Sequence, residues 1–321
     1  MPGIVIICGP TACGKSAVSI NLAQLIGGEI ISADSMQIYK YMDIGTAKVT
    51  NAEMAGIPHY LIDELYPNDE YNIAVFKNRA AELITDIQSR SKVPIICGGT
   101  GFYINALLYN LDFDKNHDKN AEYRREMEAI AHCEGAARLH EMLREVDLAA
   151  AEAIDVNNVK RIIRALEYYK VHGAPISQHN AAQLEKRAKP AYNAKVVVLH
   201  AARHLLYERI NRRVDEMAAN GLIAEVASLL DMGYSADLVS LQGLGYKEIA
   251  KYINGEYDLE TALNAVKQGT RRFAKRQITW FKHQLPGAIW LDIDDFAGAS
   301  DIAATIQKSC ENDLAIGQKL L

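Results

Sequence analysis

The eight residues Gly9-Pro10-Thr11-Ala12-Cys13-Gly14-Lys15-Ser16 limit what this chain can fold into more than any other feature. They satisfy the pattern G-x4-G-K-[ST], directly follow the apolar run Ile4–Cys8, and lead into the helical run Ala17–Leu25. A strand, a glycine-rich loop and a helix in that order aim backbone N–H groups and a helix N-terminus at a polyphosphate. The pattern needs both flanks to work, and both are present. It predicts a phosphate site in which Lys15 is a point charge for the terminal phosphates and the Ser16 hydroxyl serves Mg2+.

Further short β-branched runs at Glu29–Ala33, Val93–Gly98, Lys195–His200 and Ala288–Asp292 alternate with helical patterns. Continuous apolar strands between helices predict a parallel sheet buried on both faces. Between the polar run that opens at Asp112 and the polar segment Gln178–Asn193 the pattern is helical throughout. There Val159, Ile162, Ile163, Leu166 and Tyr169 form an apolar stripe, with Lys160, Arg161 and Arg164 off it. The expected fold class is therefore α/β: a P-loop NTPase-like parallel sheet core, residues 1–112 and 195–321, with an inserted all-helical domain, residues 113–194. With 321 residues, 49% of them hydrophobic and 23% charged, the chain can build both cores. Its net charge of −5 excludes a uniformly basic nucleic-acid coat but leaves room for a local basic patch.

The five cysteines, Cys8, Cys13, Cys97, Cys133 and Cys310, are odd in number and show no metal-ligand spacing. That usage predicts a reduced chain without disulfides or zinc. No apolar stretch approaches a membrane span, and the first strand begins with no basic leader before it. The expected compartment is the cytoplasm, with no membrane contact.

A hydrolytic P-loop enzyme also needs an acidic residue at the end of a core strand. The run Val93–Gly98 ends instead in Gly98-Gly99-Thr100-Gly101, and Asp292 is the only late candidate. The loop therefore suits a task other than nucleotide hydrolysis. The second strand delivers Asp34 to the same crevice, either as a helix cap or as a base, and Thr100 either caps a turn or meets a phosphate. On the run Leu205–Ala219, Leu206, Ile210, Val214 and Met217 form the buried face; Arg209 is expected to be solvated, and Arg213 points elsewhere. The block Thr270–Lys282 holds five basic residues and no acid, and Arg272, Lys275, Arg276 and Thr279 share a helical face. Basic residues interleaved with aromatics fit a nucleic-acid backbone. A solvated amphipathic helix packed by Phe273, Ile278 and Phe281 fits the composition equally well.

Seven blocks taken together resemble the bacterial tRNA dimethylallyltransferase (IPP transferase) family, which prenylates N6 of the adenine just 3′ of the anticodon. They are Gly9–Ser16, Ser32–Tyr39, Met42–Lys48, Gly98–Tyr103, Lys160–Glu167, Gly243–Lys247 and Thr270–Phe281, in that order along the chain. The resemblance implies dimethylallyl diphosphate in the loop Gly9, Pro10, Thr11, Ala12, Cys13, Gly14, Lys15 and Ser16, clamped by Arg213, with Mg2+ as cofactor. It implies Asp34 as the general base on N6, and Thr100 as a contact to the diphosphate or the reacting centre. Contacts to tRNA would come from Asp34, Ser35, Met36, Gln37 and Thr100 near the loop. Others would come from Lys160, Arg161, Ile162, Ile163 and Arg164 on the insert, together with Arg124. The remainder would be Gln242, Gly243, Leu244, Gly245, Tyr246 and Lys247, then Arg271, Arg272, Lys275, Arg276 and Gln277. The partner is tRNA, presented by its anticodon stem-loop, and the chain would act as a monomer. Cys13 departs from the usual Ser or Gly, and Lys160 stands where Gln is common. The C-terminal zinc finger of eukaryotic relatives is not expected here, since Cys310 is the only cysteine after Cys133. Three rivals stay open: prenylation of free adenine nucleotides, a small-molecule P-loop kinase, and a non-enzymatic RNA-binding NTPase.

Overall fold

The strand Ile4–Cys8 (β1) is wholly buried and takes the centre of a sheet. The structure, a computed structural model, describes residues 3–113, 121–187 and 189–318. The polar run expected to open the insert lies, from residue 114 to 120, outside the described residues. After β1 come α1 (Lys15–Ile26), β2 (Gly28–Ser32), α2 (Asn51–Met54), β3 (His59–Tyr60), α3 (Ile73–Ser89), β4 (Val93–Gly98) and α4 (Gly101–Leu108). Five helices follow: α5 (Ala121–Cys133), α6 (Ala136–Val146), α7 (Leu148–Ala153), α8 (Val159–His172) and α9 (Ile176–Lys186). The core then resumes with β5 (Ala194–His200), α10 (Arg203–Ala219), α11 (Leu222–Asp231), α12 (Tyr246–Ile253), α13 (Leu259–Gln284), β6 (Ile289–Asp292) and α14 (Ala299–Gln318).

All strand pairs are parallel, in the order β3-β2-β4-β1-β5-β6. The register sets Ile6 beside Ile96 on one side and beside Val196 on the other. Alternate residues Val5 and Ile7 pack with Val18 and Leu22 of α1 and with Ile302 and Ile306 of α14. Helices thus cover the sheet, and the strands need no polar side. From β1 the chain crosses to β2 on one side; from β4 it returns past β1 to β5 on the other. The switch point lies between β1 and β4, and ligands of open α/β sheets bind beyond the strand ends at such a point. Here the two loops that meet there are Gly9–Ser16 and Gly98–Thr100.

The two-residue strand β3 has no apolar run to announce it; it only extends the edge beside Ile30 and Ile31. The chain divides into two compact units, Met1–Leu108 with Ala191–Leu321, and Tyr109–Pro190. The Ala191 N–H donates to the Leu108 carbonyl (2.7 Å), so the core's two segments meet just before the first polar run and near the end of the second. The helical unit has its own core, including Met127, Leu139, Leu143, Ile162, Ile163 and Leu166. Ile162 and Ile163 are therefore corrected as RNA contacts: both are buried at helical spacing and offer RNA no side-chain surface. Lys160, Arg161 and Arg164 are exposed on the outer face of α8. Tyr169, expected in the stripe, is itself exposed. Arg124 is engaged with Glu167 of α8 in two hydrogen bonds, at 2.8 and 3.0 Å.

Candidate active site

The phosphate loop is shaped by what cannot stand in it. At Gly9, where φ is 147°, a Cβ would lie 2.2 Å from the Leu199 carbonyl oxygen of β5, so the loop can leave the sheet only at a glycine. Gly14, left-handed at φ 75°, caps α1 with no side chain. The first-turn N–H groups of α1 are accordingly left for an anion. The Cys13 thiol turns inward and donates to the Pro10 carbonyl (2.9 Å), and burial pushes it up, so it stays a neutral thiol. Lys15 Nζ also donates to the Pro10 carbonyl (2.7 Å). Neither Lys15 nor Arg213 has an acidic ion-pair partner among the described residues. Burial pulls the Arg213 guanidinium below its ordinary value, and the nearby Asp34 carboxylate opposes that shift. Arginine nonetheless stays charged at neutral pH.

Asp34 and Thr100 are held together by backbone. The Ala33 N–H donates to the Cys97 carbonyl (2.8 Å), and the Thr100 N–H donates to the Ala33 carbonyl (3.2 Å). A Cβ on Gly98 would lie 2.2 Å from that same Ala33 oxygen, which makes the close approach glycine's alone. Asp34 caps no helix. Its Oδ1 accepts from the Met36 N–H (2.9 Å), while Thr100 Oγ1 accepts from the Ser35 N–H (3.2 Å).

Two cavities meet at this point. The larger, about 770 Å³, is lined by Thr11, Ala12 and residues 14–17 of the phosphate loop, by Asp43, Ile44 and residues 46–50, and by Gly98, Gly99 and Met217. The smaller, about 360 Å³, is lined by Ser35, Met36, Thr100, Gly243, Leu244, Gly245, Tyr246, Thr270 and Arg276. Thr11, Asp34, Thr46, Gly99, Arg213, Met217 and Phe273 line both. A carboxylate and a guanidinium therefore stand at the junction of an anion cradle and a second, more apolar chamber. Arg213 Nη1 approaches Thr11 Oγ1 at 3.5 Å. That arrangement can neutralise a leaving anion from one side and accept a proton from a nucleophile on the other.

Several expected RNA contacts have other work. Gln277 is only 6% exposed: it accepts from the Thr11 N–H and donates to the Gly99 carbonyl, both at 2.9 Å, and so ties the phosphate loop to the β4 loop. Gln37 donates to the carbonyls of Thr46 and Ala47 and lines only the larger cavity. Tyr246 is buried; its hydroxyl donates to Glu225 Oε1 (2.7 Å). Arg271 reaches Asn211 of α10. Arg209 is half-buried in an ion pair with Asp294 (2.6 Å) and is not solvated as expected. Asp292 accepts from the Asp294 N–H (3.1 Å) at the end of the edge strand β6, so it is no metal-binding acid of the phosphate loop. By contrast Arg272, Lys275 and Arg276 are exposed on one face of α13, Gln242 is exposed, and Lys247 is partly so.

Two site residues were not foreseen. Phe273 lines both cavities, one turn before Gln277 on the inner face of α13, and the spacing 273, 277, 281 carried that signal. Glu225 accepts from the N–H groups of Asp43, Ile44 and Gly45 (2.8, 2.7 and 3.0 Å) and fastens the cavity wall to α11. No local pattern announces it.

For a metal, the donor set is small. No cluster of three or more His, Cys, Asp or Glu side chains suited to a metal occurs among the described residues. Ser16 at the head of α1 is what a Mg2+ ion needs when it is carried mainly by phosphate oxygens and water.

Comparison with known proteins gives one answer. Residues 37–284 match the family model described as IPP transferase. A tRNA dimethylallyltransferase of Lachnoclostridium phytofermentans is 51% identical over 308 residues, covering 96% of this chain and 97% of that protein. Another, of Caldanaerobacter subterraneus subsp. tengcongensis, is 49% identical over 304 residues, covering 94% and 96%. Among solved structures, the tRNA delta(2)-isopentenylpyrophosphate transferase of Staphylococcus epidermidis superposes with a TM-score of 0.71 at 40% identity, over 96% of this chain and 99% of that one. A eukaryotic dimethylallyltransferase acting on tRNA gives 0.76 at 27% identity, over 99% of this chain and 79% of that one.

Proposed function

The chain belongs to the IPP transferase family, and from that premise we infer that it is a tRNA dimethylallyltransferase. Its prenyl donor is dimethylallyl diphosphate, and its acceptor is N6 of the adenine 3′ of the anticodon. The observation that carries this assignment is the pair of cavities sharing Asp34, Arg213 and Phe273. One chamber supports a diphosphate on the α1 N-terminus and Lys15. The other suits an unstacked base.

An exocyclic adenine amine is a weak nucleophile, because its lone pair is delocalised into the ring. The reaction therefore depends on making diphosphate a good leaving group. As N6 attacks C1 of the dimethylallyl group, the C1–O bond breaks and its electron pair leaves with diphosphate. Lys15, Arg213 and the loop N–H groups receive that charge. The proton lost from N6 passes to the Asp34 carboxylate, which the Met36 N–H orients. Thr100 holds the Ser35 backbone in place beside it. Bound beside Ser16, Mg2+ would supply further neutralisation of the diphosphate. The target base must leave its stack to reach the smaller cavity. Exposed Arg272, Lys275 and Arg276 supply phosphate contacts, as do Lys160, Arg161 and Arg164 on the helical unit.

No helix among the described residues is long and apolar enough to cross a membrane. The enzyme acts as a monomer in the cytoplasm. The test compares kcat/KM for an unmodified anticodon stem-loop with that for AMP, at equal dimethylallyl diphosphate, with the product identified by mass spectrometry. A strong preference for the stem-loop is expected, because remote binding energy offsets unstacking and orients N6. Comparable values would favour the free-nucleotide rival. Phosphoryl transfer from ATP with no prenyl transfer would favour the kinase.

A further inference from the structure

Two residues that line the smaller cavity have aromatic neighbours along the chain. Thr100 and Arg276 both line that cavity. Two residues beyond Thr100, on the first turn of α4, Phe102 is 61% exposed, more than any other aromatic ring among the described residues. One turn beyond Arg276 on α13, the Trp280 ring lies with its centroid 5.7 Å from that of Phe102, inclined by 56°. Gly101 allows this approach, since a Cβ there would fall 2.3 Å from the indole. Two separate elements that each supply a wall residue of the cavity thus meet at an exposed ring that is not itself part of the cavity lining. On α13, Lys275 and Arg276 are exposed and form no salt bridge among the described residues, and Arg276 lies over the Phe273 ring at 5.8 Å.

A phenylalanine left in water gives the fold almost nothing, and Trp280 holds this one two residues from Thr100 in the chamber wall. We propose that Phe102, backed by Trp280, is a stacking platform for the nucleobase adjoining the target adenine. The proposal rests on tRNA as the substrate. Drawing one base out of a stack strips each neighbour of a partner. An aromatic face next to the chamber wall restores one of those contacts without reading base identity, and the exposed cations of α13 hold the phosphates on either side. The platform therefore favours the opened loop over the stacked one.

The test uses the full chain and synthetic anticodon stem-loops. Phe102→Ala should lower kcat/KM by about tenfold or more, the usual loss when a base–aromatic stack is removed. Phe102→Trp should retain activity. Phe102→Leu keeps apolar volume without a π face and should behave like the alanine variant. The ring is mostly exposed, so thermal unfolding should match wild type in all three. The decisive arm replaces each neighbour of the target in turn by an abasic site. For one of the two, wild type and Phe102→Ala should become equal. Wild-type turnover by the alanine and leucine variants, or a loss that persists with both abasic substrates, overturns the platform while leaving tRNA as the substrate. Failure of the wild-type enzyme to prenylate any stem-loop removes both.

Discussion

Replacing Gln277 isolates a contact that joins the phosphate loop to the neighbouring strand end. In Gln277→Ala the Thr11 N–H loses its acceptor and the Gly99 carbonyl its donor, each at 2.9 Å in the wild type. A buried backbone group left unsatisfied costs ~1–3 kcal/mol. Gln277 borders the larger cavity, so water can reach part of the vacated space, and the lower half of that range applies. A total near ~2 kcal/mol should lower Tm by about 4–8 °C in a domain of this size. Gln277→Glu is the sharper variant. It keeps the shape and still accepts from Thr11, but it sets an acceptor against the Gly99 carbonyl and adds a negative charge beneath the loop. Two like unit charges about 8 Å apart repel by roughly 2 kcal/mol at an effective dielectric of about 20, so a weakening of diphosphate binding on the order of thirtyfold is expected. Calorimetric titration with inorganic diphosphate, alongside thermal unfolding, reads both effects. If Gln277→Glu binds diphosphate as tightly as wild type and melts at the same temperature, the two hydrogen bonds carry nothing and the strut is imaginary.

Asp34→Asn keeps size and one acceptor but removes the base; turnover should fall by roughly 10² or more while stem-loop affinity holds, as single-turnover and binding assays would show. Arg213→Ala should cost about 10²–10³ in rate, with no recovery on added Mg2+, measured as prenyl transfer at saturating stem-loop. Arg272→Ala and Lys275→Ala should each flatten the log–log salt dependence of tRNA binding by about one unit; an unchanged slope would return that face to plain solvation. Iodoacetamide should label Cys133 alone in the folded chain. Cys8, Cys13, Cys97 and Cys310 are buried, and burial pushes the first three thiols up; a mass spectrum with an adduct on Cys13 would contradict the inward-turned loop thiol.

Five of the six strands are legible as apolar runs, because a parallel strand covered on both faces needs no alternation. The sixth, His59–Tyr60, is held only by its neighbour and carries no pattern of its own. The phosphate loop was equally plain, since its function lies in backbone geometry that only certain residues allow. The helix α13 was harder. Its exposed cations follow from composition and spacing, yet Gln277, sitting among them in sequence, faces inward beside Phe273 and Phe281. The family resemblance assigned it to RNA; the helical period points to the loop. The isoleucines of α8 teach the same lesson, since the apolar stripe already placed them inside. Glu225 lay beyond reach for a different reason. Its partners Asp43, Ile44 and Gly45 are remote in the chain, and no local pattern records that contact.

The hydrogen bond between Ala191 and Leu108 bears on how the chain reaches its native state. Strand β5 must find β1 across the whole helical unit, and closing a flexible loop of ~80 residues carries a length-dependent entropic cost near 4 kcal/mol. That cost assumes a structureless spacer. Tyr109–Pro190 instead has its own core, and near its ends the Asp112 N–H donates to Gln183 Oε1 (3.0 Å) while Lys186 pairs with Asp112. Once these helices assemble, Leu108 and Ala191 are neighbours, and the remaining search for β5 is that of a short turn. The insert thereby turns the most distant pairing in the sheet into a local one.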